Sequence, residues 1–167
     1  MKKFIYGFFA CFVVFSASIG LYLGNLLMIA KPGFYVSKDP VKFSIEEQSE
    51  IQEALIKLSD LSNLFGQEKY SALFLGSAGV IAAHSGVSTI ESKYLLSKAV
   101  TLAKSYGDRT GDIHPFMESR FTFALYLKDI GEIDSAKQVV VETLAFANSK
   151  DPQNYWIGNF ERLSLKL

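Results

Sequence analysis

Positions 4–30 form a run of 27 residues without a charge, directly after Lys2 and Lys3, and this run constrains the chain more than any other feature. A helix rises about 1.5 Å per residue, so a run of this length exceeds the roughly 30 Å hydrocarbon core of a bilayer, even with tilt. It predicts a single N-terminal transmembrane helix over residues 1–30. A signal peptide is the rival reading, because Lys2 and Lys3 suit its basic start and Ser16-Ala17-Ser18 offers small residues for cleavage. Cutting there would leave Ile19 to Ile29 as an exposed apolar tail, which favours an uncleaved anchor. Phe8-Phe9-Ala10-Cys11 is a poor lipoprotein box, since the apolar stretch before it is short. Ser16, Gly20 and Gly24 share one helical face, a small-xxx-small arrangement that permits homo- or hetero-association through the membrane helix. Glycine is also simply common in membrane helices.

Orientation rests on flanking charge. Lys2, Lys3 and the terminal amine face a nearly equal set on the other side, Lys31, Lys38 and Lys42. A very short basic tail before a first span stays in the cytoplasm, and large following domains cross largely regardless of charge. The expected location is therefore a bacterial inner membrane, single-pass, with the N-terminus cytoplasmic and the following domain periplasmic.

The remaining chain has room for one domain of about 130 residues, enough to bury a core without staples. Seventeen basic and seventeen acidic residues are mixed along the sequence for a formal net charge of zero, and no basic tail or nucleic-acid motif is present. Nucleic acid is excluded as a partner on that ground. Cys11 is the only cysteine and lies inside the apolar run, which excludes an internal disulfide or thiolate metal site in the domain.

Residues 31–43 contain Pro32-Gly33 and Asp39-Pro40 and are expected to form a linker. The domain then occupies residues 44–167. Ser44-Ile45-Glu46-Glu47 is a capping box, and Ile51, Leu55, Leu58, Leu61 and Phe65 continue as one apolar helical stripe up to Gly66. Residues 70–90 carry no formal charge, but their strongly apolar part, Leu73 to Ala83, is about half the length a span needs and is interrupted by Gly76, Ser77 and Gly79. A buried helix whose small residues admit close neighbours is expected there. Ser88-Thr89-Ile90-Glu91 offers a second capping box, opening a helix that should stop at Gly107. A polar loop to His114 follows, and Pro115 suits the next helix start. Asp151-Pro152 marks the start of a closing helix with Tyr155, Trp156, Phe160 and Leu163.

Between Pro115 and Ser149 the pattern is two helices around a break at Gly131. Ala124, Leu127, Ala136 and Val140 form the apolar stripe, with the alanines set for close backbone approach. Ile157-Gly158-Asn159 repeats the context of Phe123-Ala124-Leu125 at an offset of 34 positions, and Gly79 with Gly86, Leu96 and Ala99 stands as an upstream copy at an offset of 45. With Ala124, Gly131 and Ala136 in place, this spacing resembles the tetratricopeptide family. Two positions depart from that family's pattern: Thr143 replaces a small apolar residue, and the boundary proline comes late, as Pro152. The fold class expected is therefore all-α, a single transmembrane helix followed by a tetratricopeptide-like α-hairpin repeat domain.

The resemblance implies that the first helix of each hairpin lines a concave protein-binding groove. Carried across at the repeat offset, it selects His84, then Glu118, Phe121, Leu125 and Lys128, then Tyr155, Asn159 and Arg162. Phe121 and Tyr155 suit a core equally well. Gly76, Val80, Thr122 and Pro152 stand where chaperone-binding members carry the Lys and Asn residues that grip a C-terminal carboxylate, so that clamp is not expected. Catalysis is not expected either. His84 and His114 are far apart, metal-ligand spacings are missing, and no glycine loop has the Lys-Ser/Thr that cradles phosphate. Asp108 to His114 is the most polar loop, but Asp112 or His114 there is expected to cap the next helix; no metal, cofactor or catalytic residue is assigned. The resulting expectation is a membrane-anchored scaffold or accessory subunit of an envelope complex that binds a peptide segment or helix of another protein. An inner-membrane immunity protein neutralising a periplasmic toxin is the alternative.

Overall fold

The computed structural model describes residues 2–35, 43–86 and 88–167, with side chains placed for residues 16–33, 43–86 and 88–167. The described residues are all-α: α1 (Lys2–Ala30), a 3-10 turn (Lys31–Tyr35), α2 (Ile45–Leu64), α3 (Glu68–Ser85), α4 (Thr89–Thr110), α5 (His114–Asp129), α6 (Ile133–Lys150) and α7 (Trp156–Ser164). Each helix from α1 to α7 packs on the next in sequence. In addition α3 packs on α5, and α5 touches α7.

Local chemistry accounts for most of the element boundaries. The Ser44 amide donates to Glu47 Oε2 (2.7 Å) and the Glu47 amide donates back to Ser44 Oγ (3.2 Å), closing the expected capping box on α2. At α4 only half of the second box forms. Ser88 Oγ accepts the Glu91 amide at 3.2 Å, but Glu91 Oε1 accepts from Gln52 Nε2 of α2 at 2.6 Å and is drawn across the fold. The stop expected at Gly107 moves to Gly111, which takes φ +80° and closes α4 by donating its amide to the Gly107 carbonyl at 2.8 Å. Gly107 stays helical because the returning chain lies against it; a Cβ there would stand 3.2 Å from the Asp112 carbonyl oxygen. α7 starts later than Asp151-Pro152: its N-cap is Tyr155, and Asn154 Oδ1 accepts the Trp156 amide at 3.1 Å.

Gly66, Gly86, Gly111 and Gly131 all have positive φ and sit at successive helix–helix turns. Gly66 to Gly111 is 45 positions, and so is Gly86 to Gly131. The spacing shared by these two pairs of turns is therefore 45 positions. The shorter offset taken from Ala124 to Gly158 does not recur in the packing. Ala124 is fully buried in the middle of α5, whereas Gly158 lies in the first turn of α7 with nothing within 4 Å of a Cβ.

The core has two parts. One joins the end of α1 to α2, α3 and α4 through Leu26, Ala30, Leu55, Leu75 and Ile81; the other joins α5, α6 and α7 through Met117, Leu127, Val140 and Phe160. Leu102 of α4 packs against both. Small residues set the helix spacing: a Cβ on Gly79 would come within 2.7 Å of Leu96 Cγ and 3.2 Å of the Leu96 amide nitrogen, so α3 and α4 approach almost backbone to backbone. The apolar part of the uncharged stretch, Leu73 to Ala83, thus lies in α3, a helix packed within the domain, as its interrupted apolar run foretold.

Among the described residues no helix is long and apolar enough to cross a membrane. This corrects the expected transmembrane helix at residues 1–30 and, with it, the single-pass inner-membrane location and periplasmic domain. The described part of α1 directs apolar side chains into protein. Leu26 and Ala30 are buried, Leu23 and Ile29 pack beside them, and the chain continues directly into a turn in which Gly33 is buried against Ile51, Leu55 and Ile81. Within the expected linker, Lys31 is exposed and Pro32 half-buried, while Gly33 is built into the core. Leu21 and Met28, on the other face of α1, are exposed. Ser16, Gly20 and Gly24 are exposed too, and among the described residues nothing outside the local helix backbone lies within 4 Å of a Cβ on either glycine. Expectations for Lys2, Lys3, Cys11 and residues 36–42 lie outside the described side chains.

Two glycines one turn apart should respond oppositely to substitution. Gly79→Val is expected to destabilise by about 2 kcal/mol, because the added methyls meet Leu96 and the α4 backbone. Gly76→Ala, whose nearest contact is Ala99 Cβ at 3.9 Å, should be neutral or stabilise by up to about 1 kcal/mol through helix propensity. Urea unfolding of the two variants measures both.

Candidate functional site

The first turns of α3 and α5 lie at the same end of the fold. Lys69 Nζ of α3 reaches Asp112 Oδ2, just before α5, at 3.4 Å, and Arg109 Nη2 donates to Glu68 Oε2 at 2.8 Å. Two further contacts hold the opposite end. Lys93 Nζ bonds both Glu132 carboxylate oxygens at 2.9 and 2.7 Å, and the buried Tyr126 hydroxyl donates to the Thr89 carbonyl at 2.9 Å. α3 and α5 therefore run in the same direction, side by side, with α4 behind them.

Between them lies a groove of about 760 Å³. From α3 it is lined by the stripe Lys69, Leu73, Gly76, Val80 and Ala83, flanked by Tyr70, Ser77 and His84. From α5 it is lined by Glu118, Thr122, Leu125 and Asp129, and Leu96 and Ala99 of α4 contribute to the floor. Spacings of four, three and four put each set on one face of its helix. Exposed side chains such as Tyr70, Leu73 and Leu125 give the groove an apolar character unusual for open surface.

The sequence-derived residues divide between this groove and other places. His84, Glu118 and Leu125 line it together. Phe121 does not: it turns to α7, with ring centroids 5.3 Å from both Trp156 and Phe160. Lys128, two turns further along α5, pairs weakly with Asp129 at 3.8 Å. Tyr155 stacks on His114 with centroids 5.3 Å apart, and Asn159 Oδ1 accepts from Arg162 Nη2 at 2.8 Å, so these residues of the closing segment hold one another outside the groove.

Residues missed by the sequence argument are Leu73, Gly76, Ser77, Val80, Thr122 and Asp129. Stepping back from His84 by four, seven and eleven gives Val80, Ser77 and Leu73, so the α3 face was within reach of helical periodicity. On α5 the expected stripe 118, 121, 125, 128 and the observed one, 118, 122, 125, 129, share Glu118 and Leu125 and differ by a small rotation. Phe121 decides the rotation, because its ring is needed against α7.

The polar loop before α5 is tied into the fold by Asp112. Asp112 uses Oδ1 to accept the His114 amide at 3.1 Å and Oδ2 to meet Lys69, which raises the Lys69 pKa above 10.5 chiefly through that hydrogen bond. Among the described residues, no group of three or more His, Cys, Asp or Glu side chains could hold a metal ion. Thr143, the departure from the family pattern, is fully buried and accepts Arg120 Nε at 2.8 Å, while Arg120 Nη2 donates to Glu142 Oε2 at 2.8 Å. That hydrogen bond holds the Glu142 carboxyl below its usual value and fastens α5 to α6.

Neither a protein-family model, nor a curated protein, nor a solved structure matches the chain.

Two measurements separate packing residues from groove residues. Phe121→Ala should destabilise by about 2 kcal/mol, below the range for full burial because the ring is only partly covered, whereas Leu125→Ala should stay within about 0.5 kcal/mol. Glu132 has its pKa lowered from 4.5, first by the hydrogen bond from Lys93. A lowered carboxylate contributes stability above its unfolded value, and that contribution disappears as pH falls through the folded value. Wild type should therefore exceed Glu132→Gln in urea stability at neutral pH, with the difference closing as acid protonates the Glu132 carboxylate.

Proposed function

We propose that this protein is a helical-hairpin repeat module that binds a segment of another protein in the groove between α3 and α5, as a scaffold or accessory subunit. The observation that carries the reading is the groove itself: an apolar furrow bounded by two parallel helices and braced at both ends by side-chain contacts. Such bracing pre-organises the surface, so a partner loses less free energy to ordering on docking. That α3 and α5, each the leading helix of a hairpin, face the furrow supports likening it to tetratricopeptide-like repeats. The unit is longer than in that family, as the 45-position spacing of Gly66 to Gly111 and Gly86 to Gly131 supports. A binding role is also favoured over catalysis by the site's contents, since Glu118, Thr122, Leu125 and Asp129 lie along one open helix face and do not converge on a point.

The test is co-purification after crosslinking, with the full-length chain and its Thr122→Trp variant, which fills the groove from a half-buried position. The expected result is a partner recovered with wild type and lost with the variant, while the variant's thermal midpoint stays within about 4 °C of wild type. A partner that stays bound to the filled variant would place the interaction elsewhere on the protein.

A further inference from the structure

Resting on that reading of the groove, we infer that its occupant is an amphipathic α-helix of a partner protein, with an apolar face flanked by basic residues about three helical turns apart. Shape gives the first constraint. From Lys69 to His84 the α3 wall spans fifteen helical steps, about 22 Å, so the furrow suits an elongated chain segment and not a compact small molecule. Backbone hydrogen bonding gives the second. Both walls are helices whose amide and carbonyl groups are bonded internally, so they present no free edge to which an extended strand could add. A strand laid there would have its own backbone groups desolvated without partners, whereas a helix brings its bonds already made.

Charge supplies the third constraint. The α3 wall is uncharged beyond Lys69, and Lys69 is engaged by Asp112 at 3.4 Å. The α5 wall carries Glu118 and Asp129, eleven positions apart on one face, which is about 16 Å along the helix. Among the described residues Glu118 is in no ion pair, and Asp129 has only Lys128 at 3.8 Å. Between the two acids the lining is apolar or small, with Leu125 on the α5 wall, Leu73 and Val80 on the α3 wall, and Gly76 leaving room for a bulky anchor. The complement of such a surface is a helix with Leu-, Ile- or Phe-type anchors in the middle and Lys or Arg toward both ends.

The probe is a pair of synthetic helical peptides of about 16 residues with the same Leu/Ala face, one carrying Lys and the other Glu at two positions about three turns apart. Fluorescence anisotropy with the full chain should show the Lys peptide binding about tenfold more tightly than the Glu peptide, with the preference shrinking at high salt. In Glu118→Gln/Asp129→Asn the ratio should fall toward one, and Thr122→Trp should abolish binding of both. Equal binding of the two peptides to wild type, preference for the Glu peptide, or binding by neither would overturn the cationic-helix inference. A loss of binding in Thr122→Trp without any charge preference would leave the groove reading standing alone. Undiminished binding of the Lys peptide to Thr122→Trp would overturn the groove reading itself. Sedimentation covers the remaining occupant: a dimer dissolved by Thr122→Trp and not displaced by the Lys peptide would assign the furrow to a second copy of this chain.

Discussion

The close approach of α3 and α4 is the contact on which the rest of the architecture depends. Leu96 seats on Gly79, and Ala99 lies opposite Gly76 one turn away. With no side chain on Gly79, the two helices pack at near-backbone distance and α3 is held back from the surface that α5 occupies. A larger residue at Gly79 would push α4 outward and carry α5 with it, because Tyr126 is tied to Thr89 and Glu132 to Lys93. Close packing of this kind gains dispersion contacts along a whole helix face, which outweighs the lower helix propensity of glycine.

From that spacing follows the furrow. α5 has three faces in use: Ala124 and Leu127 against its neighbours in the core, Phe121 against α7, and the Glu118 to Asp129 stripe left open toward α3. Arg120 fixes the helix about its own axis through Thr143, Val139 and Glu142, a set of hydrogen bonds that a small apolar residue at position 143 could not complete. Surface ion pairs at the ends of the groove contribute little each to stability. Their consequence is positional, since they fix the ends of α3, α4 and α5 relative to one another.

Many of the helix boundaries were legible in the sequence because they are set by residues within a few positions of one another. Ser44 and Glu47, Gly66, Gly86 and Gly131 act through local hydrogen bonds or local backbone conformation. The Gly107 stop failed for the opposite reason: whether a glycine ends a helix or accommodates a chain packed on it depends on Asp112 and Ile113 folding back. Glu91 behaved likewise, choosing Gln52 at a separation of 39 residues over its own helix start. The apolar run at the N-terminus had length and hydropathy in its favour as a span, yet Leu26, Ala30 and Gly33 find their apolar surroundings in α2 and α3.

By itself the sequence determined that the chain is helical, where several of the turns fall, and which small residues admit close neighbours. These follow from periodicity, capping and the conformational freedom of glycine. Only the tertiary structure decided which stripe of α5 faces the groove, since 118-121-125-128 and 118-122-125-129 are equally regular and the aromatic rings of α7 select between them. It also decided that the end of α1 belongs to the core. In both cases the deciding partner lies on another helix, and hydrophobic burial is indifferent to sequence distance.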